Sequence, residues 1–155
     1  LPVNNRQGSQ GRESITMLQE AMRSDVPIGT FTAGSCSRIF DGKLQDRPWH
    51  KTFVSQAIAN ERDIVPLHYV GQNSRHFYWI WHIKEALKMK FDPGQALLPD
   101  ELFRAHGSHF KVIVVEPISW QSLRDSGLTP QQEAQRIRAL SYQLRDEYDA
   151  TLTKR

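Results

Sequence analysis

The stretch Ile64-Val65-Pro66-Leu67-His68-Tyr69-Val70-Gly71-Gln72-Asn73-Ser74-Arg75 decides how this chain is read. Ile64 to Val70 is a β-branched, apolar run closed by Gly71, the pattern of a short strand. Small polar residues follow, and Asn73 and Ser74 stand where a helix beginning near His76 takes its N-cap. Just upstream, Phe53, Val54, Ala57 and Ile58 recur at three- and four-residue steps, so a helix precedes the strand.

The alternation continues in both directions. Toward the N-terminus, Ile15, Leu18 and Met22 mark an amphipathic helix over 13–23, preceded by a polar loop at 4–12. Pro27-Ile-Gly-Thr-Phe31 reads as a short buried strand, and 32–49 as a loop holding the Asp41-Gly42 turn signal and Pro48. Toward the C-terminus, Phe77, Ile80, Trp81, Lys84 and Lys88 give a helix over 76–90 with an aromatic face and a basic end. Pro99-Asp100-Glu101 suits a helix start, with Gly107 as its stop. Phe110 to Val115 is the clearest strand, ended by Pro117. Thr129-Pro130-Gln131-Gln132 offers an N-cap, a first-turn proline and a reciprocal capping-box residue, and Ala134, Ile137, Leu140, Leu144 and Tyr148 form the stripe of a long helix. Strands alternating with helices, and near-continuous apolar strands, predict an α/β fold: a mainly parallel sheet with helices on both faces, in one domain over 1–155.

Composition narrows the function classes. With 155 residues, 39% hydrophobic and 24% charged, the chain is long enough to bury its own core. A formal charge of +3, spread along the chain, is too weak to indicate nucleic acid. No apolar run approaches the roughly 20 residues of a membrane span. Cys36 is the one cysteine, which excludes an internal disulfide and cysteine-rich zinc sites. His106 and His109 are spaced for a metal, but Gly107 breaks the helix that would align them and no third ligand accompanies them, so neither metal nor cofactor is expected. The first residues carry neither an initiator Met nor a signal-peptide pattern, so the start reads as a cut inside a longer chain.

Two polar loops are the candidate site. Phe31-Thr-Ala-Gly-Ser-Cys-Ser-Arg38 leaves one expected strand at its C-terminal end, where open α/β sheets place ligand crevices. There Gly34 permits close backbone approach, Ser35 and Ser37 offer hydroxyls, and Arg38 can grip an anion with two parallel bonds. Asn73, Ser74 and Arg75 leave the next strand in the same way, so both loops line one crevice if their strands are neighbours. As single features, a polar turn and a helix cap are the simpler accounts of the two loops. Cys36 fails as a hydrolase nucleophile elbow, because Arg38 replaces the required glycine and no helix follows at once. Phe77, Trp79 and Trp81 with Lys84, Lys88 and Lys90 suit either a bilayer interface or a core helix with snorkelling lysines.

Taken in order, Phe31-Thr-Ala-Gly-Ser-Cys-Ser-Arg38, Gln45-Asp-Arg-Pro-Trp49, 64–78 and Leu97-Leu-Pro-Asp-Glu-Leu-Phe103 resemble the lysophospholipid acyltransferase superfamily, nearest its hemolysin-like, ornithine-lipid branch. The resemblance covers about 27–118. It implies transfer of a fatty acyl chain from an acyl thioester, on coenzyme A or acyl carrier protein, to a lysolipid hydroxyl at the inner face of the cytoplasmic membrane. It also implies that the chain binds that surface peripherally through Phe77, Trp79, Trp81, Lys84 and Lys88. The family block Phe-Pro-Glu-Gly-Thr-Arg-Ser maps onto Phe31 to Ser37, with Cys36 in place of its arginine and Arg38 as the substitute. The family's proline-centred block maps onto Ile64 to Leu67. Its catalytic pair, His-x4-Asp, is missing: five places after the six histidines stand Ser55, Asn73, Trp81, Leu87, Lys111 and Val114. The expectation is therefore a partial acyltransferase domain that lacks its catalytic block, keeps its acceptor-binding half and is inactive alone. A non-catalytic lipid- or partner-binding module is the competing class, and a Cys36 hydrolase the third.

Overall fold

A computed structural model describes residues 12–40, 42–89 and 93–153. Lys90 and the polar stretch 4–11 lie outside the described residues. The elements in order are α1 (Arg12–Arg23), β1 (Arg38–Phe40), β2 (Lys43–Gln45), α2 (Thr52–Ala59), β3 (Leu67–Val70), α3 (Arg75–Ala86), α4 (Pro93–Arg104), β4 (Lys111–Val114), α5 (Trp120–Asp125) and α6 (Pro130–Thr153).

The core is helical. Val54 and Ala57 of α2, Leu123 of α5, and Ala134 and Ile137 of α6 are buried together, and Trp49 closes the cluster. The start of α6 is set locally by the Thr129 and Gln132 pair: Gln132 Oε1 accepts from the Thr129 amide (2.9 Å), and Thr129 Oγ1 accepts from the Gln132 amide (3.3 Å). Its buried stripe then runs through Ala134 and Ile137 to Ser141. α5 is a short helix that apolar periodicity does not announce; Ser119 caps it by accepting from the Ser122 amide.

Both strand pairs among the described residues are antiparallel, which differs from the mainly parallel sheet expected above. β1 and β2 form a hairpin inside the segment read as a loop, with Gly42 at φ +74° in its turn. β3 pairs with β4 in the register Leu67↔Val114 and Tyr69↔Val112, and the ribbon extends to an Ile64↔Ile118 bridge. A parallel neighbour needs a single crossover that carries the chain back to its starting end. Here the connection holds two helices, α3 and α4, packed on each other. β4 then meets β3 antiparallel.

Two further expectations change. Residues 27–31 form no strand, and Phe31 is 99% exposed. Just upstream of that segment, past the end of α1, the Arg62 guanidinium donates to the carbonyls of Ser24 (2.8 Å) and Val26 (2.7 Å). Pro99 does not open a helix; it lies inside α4, which begins at Pro93.

Candidate functional site

A cleft of about 2050 Å³ lies between the loops 31–37 and 71–74, the β3–β4 ribbon and α4. Its lining combines the polar loop residues Ser35, Ser37, Asn73 and Ser74 with apolar residues, Leu67, Tyr69 and Val112 of the ribbon and Leu98 and Leu102 of α4, and α1, α2 and α6 also contribute to it. The register explains the ribbon wall, because Leu67, Tyr69, Val112 and Val114 share one face at alternate positions and all four are exposed.

Each polar loop is held by a carboxylate. Ser37 Oγ donates to Asp46 Oδ1 (2.5 Å), and Asp46 Oδ2 accepts from the Trp49 indole (3.0 Å). The Asp46 amide donates to the Tyr142 hydroxyl (2.8 Å) and its carbonyl accepts from Arg138 (2.6 Å), which ties the 31–38 loop to α6. On the other side Glu101 Oε2 accepts from the Ser74 amide (2.6 Å) and Oε1 from Ser74 Oγ (2.5 Å). Ser74 Oγ also accepts from the Phe77 amide and so caps α3. The Asn73 amide donates to the Tyr78 hydroxyl (3.2 Å). Burial pushes the Tyr78 and Tyr142 hydroxyl pKa values above the ordinary 10.0, so both phenols are neutral over the physiological range.

The candidate residues separate into two groups. Ser35, Ser37 and Asn73 line the cleft; Gly34, Arg38 and Arg75 are not among its lining residues. Gly34 sits at φ +65°, where a side chain is strained, and a Cβ there would meet the His50 ring in ordinary contact at 3.5 Å. Arg75 is exposed in the first turn of α3. Arg38 is 6% exposed. Its Nη1 donates to the carbonyls of Cys36 (3.3 Å) and Ser37 (3.2 Å), and its guanidinium lies 5.1 Å from the Phe77 ring centre and 5.7 Å from that of Trp81. It is an internal strut that fastens the 31–38 loop to α3 through cation–π contacts.

That strut corrects the expected membrane surface. Phe77 and Trp81 are buried against Arg38 and cannot face lipid, whereas Trp79 is 60% exposed and stacks on His76. Lys84 is largely covered and pairs with Glu85 (3.3 Å); Lys88 is exposed just past the helix at φ +49°. Helical spacing located the aromatic face correctly but could not say whether protein or lipid covers it.

Asp46, Glu101, Tyr78 and Tyr142 are the residues that sequence reading missed. In the sequence Glu101 stands out only as a helix-start carboxylate, and Asp46 only as part of the Gln45 to Trp49 motif. Their partners are distant in sequence, so no local spacing signals them. Among the described residues no three His, Cys, Asp or Glu side chains gather as a metal site, and no helix is long and apolar enough to cross a membrane.

Comparison with known proteins gives this cleft its context. A family model described as acyltransferase matches residues 1–151. The chain belongs to this acyltransferase family. It is 39% identical over 144 residues to the lyso-glycine lipid O-acyltransferase of Phocaeicola vulgatus, covering 93% of this chain and 51% of that protein. It is 36% identical over 144 residues to the protein of the same name from Bacteroides thetaiotaomicron, covering 93% of this chain and 52% of that one. The chain thus spans about half the length of these relatives. No solved structure matches it.

Proposed function

We propose that this chain is the acceptor-holding part of a lysolipid O-acyltransferase. The observation that carries the reading is the divided lining of the cleft, in which the polar loop residues Ser35, Ser37, Asn73 and Ser74 occur with exposed apolar residues of the ribbon and α4. An amphiphile with one acyl chain and a polar headgroup matches that division. Family membership and the names of the relatives support the same class of substrate.

In the proposed reaction the acceptor hydroxyl attacks the carbonyl of an acyl thioester. The new C–O bond forms, the C–S bond breaks, and the hydroxyl proton finally resides on the released thiol. The donor is acyl coenzyme A or acyl carrier protein, and the reaction takes place at the cytoplasmic face of the membrane, with the protein bound peripherally. Proton removal needs a general base, which the family resemblance assigns to a His-x4-Asp pair. No histidine of this chain has that partner. The role proposed for these residues is therefore to hold and orient the acceptor, and residues 1–155 alone should not turn over thioester.

The test is a titration of the chain with lyso-glycine lipid below its micelle concentration, beside an assay of thiol release from palmitoyl coenzyme A. Saturable binding without thiol release is the expected result. Thiol release abolished by substituting a histidine of this chain would place catalysis here and overturn the division of roles. Saturable binding that no acyl donor ever converts, even in a longer chain bearing the His-x4-Asp pair, would favour a non-catalytic lipid-binding module.

A further inference from the structure

α4 contributes Leu98, Glu101 and Leu102 to the cleft. Burial does little to fix this wall, since Leu102 and Phe103 are 73% and 78% exposed. Among the described residues, the side-chain hydrogen bonds of α4 to another element both run from Glu101 to Ser74; Arg104 pairs with Asp100 within the helix. Ser74 in turn caps α3 and adjoins Asn73, which lines the cleft. One carboxylate thus joins the apolar wall to the polar loop.

We propose that Glu101 is a positioning residue that fixes the spacing between the α4 wall and the polar loop residues of the cleft, and thereby sets which acyl-chain lengths of the lysolipid are accepted. The inference rests on the lysolipid reading above and names the part of the cleft that holds the chain. The acyl chain lies against Leu98 and Leu102 of α4 and the Tyr69 and Val112 face of the ribbon, with the headgroup at the loop residues Ser35, Ser37 and Asn73.

The chemistry of the clamp makes the carboxylate specific. Ser74 presents two donors, its amide and its hydroxyl, and a carboxylate offers an acceptor to each. A glutamine side chain offers one oxygen and turns its own NH2 donors toward the other, so one bond is lost and the clamp loosens. Aspartate keeps both acceptors on a shorter arm. It should preserve the clamp but draw α4 toward the loop, moving the wall rather than freeing it.

The experiment uses this chain as wild type, Glu101→Gln, Glu101→Asp and Ser74→Ala. Amide hydrogen exchange is read at 71–77 and 97–104, and binding is measured for a series of lyso-glycine lipids from lauroyl to stearoyl. For Glu101→Gln, exchange at 71–77 should rise about tenfold, as expected for loss of a charge-assisted hydrogen bond. The wild-type ranking of chain lengths should flatten in the same variant. Glu101→Asp should bind with a ranking displaced from wild type, an effect that simple destabilisation does not produce. Ser74→Ala should flatten the ranking as Glu101→Gln does, and should raise exchange at 71–77 further because it also removes the α3 cap.

Unchanged exchange in Glu101→Gln overturns the clamp, and an unchanged length ranking in both Glu101 variants overturns the positioning role while the lysolipid reading stands. A wild type that binds no member of the series refutes the lysolipid reading and the length-setting role together, and is distinguished by the silent wild-type titration.

Discussion

The block formed by α2, α5 and α6 and the cleft wall formed by α4 and the β3–β4 ribbon use similar aliphatic residues in opposite ways. Val54, Leu123, Ala134 and Ile137 are sealed from solvent, whereas Leu67, Val112, Val114 and Leu102 stand at least half exposed. Burial of a leucine or isoleucine side chain contributes about 1.5 to 3 kcal/mol, so the first block supplies stability that the second withholds. The second offers water-exposed apolar surface that a ligand can cover. The fold therefore rests on the helical block, and binding is assigned to the wall.

The sharpest way to break this division is to cut into each side. Leu123→Ala or Ile137→Ala should cost about 2 to 5 kcal/mol in urea unfolding, the cost of a cavity in a packed core. A loss of under about 1 kcal/mol would mean that the block is not the stabilising core.

The two serine clamps extend the comparison. Asp46 serves Ser37 and the Trp49 indole from within the helical block's reach, so Asp46→Ala should cost about 2 kcal/mol, a charged hydrogen bond's worth. Ser37→Ala should cost less, because the Trp49 bond survives. If Ser37→Ala proves as damaging as Asp46→Ala, the indole bond carries little and the anchor is misassigned.

Arg38 sits between the regions. Arg38→Met removes the cation over Phe77 and Trp81 while keeping some packing, with an expected loss of about 1 kcal/mol measured by thermal or urea melts. Arg38→Lys should recover part of it. Lysolipid affinity that collapses in Arg38→Met while stability holds would return Arg38 to the ligand site.

A smaller effect distinguishes the phenols. Tyr78 and Tyr142 bind their protons more tightly when folded, because burial raises both pKa values above 10.0. Their contribution is therefore fully present below pH 10.0 and is lost as pH rises through the folded values. Urea midpoints should fall above about pH 10, and Tyr142→Phe should reduce that slope while lowering stability at neutral pH through the Asp46 amide it leaves unpartnered. An identical alkaline slope in Tyr142→Phe would remove this phenol from the account.

The least effect on stability is expected from the wall itself. Leu102→Ser and Phe103→Ser should change unfolding free energy by less than about 0.5 kcal/mol, since both side chains are already in water. Lysolipid binding should nonetheless weaken in both variants, since both residues line the cleft. A large loss of stability in either variant would place α4 in the core and erase the contrast.

By itself the sequence determined the helices with strong local signals, the capping box at Thr129 and Gln132, strands within 64–70 and 110–115, and, through ordered motifs from Phe31 to Phe103, the acyltransferase family. These features depend on residues within a few positions of one another or on motif order, both of which a linear chain displays. Tertiary structure alone decided that β3 and β4 pair antiparallel, because strand direction depends on the path the chain takes between them, which no local spacing displays. It also turned Arg38 inward onto Phe77 and Trp81, and it brought Asp46 to Ser37 and Glu101 to Ser74. A helical stripe specifies a face that must be covered, but its cover is chosen by whichever distant segment packs there. A carboxylate's partner is likewise fixed by three-dimensional reach, and Glu101 meets Ser74 across 27 residues of chain.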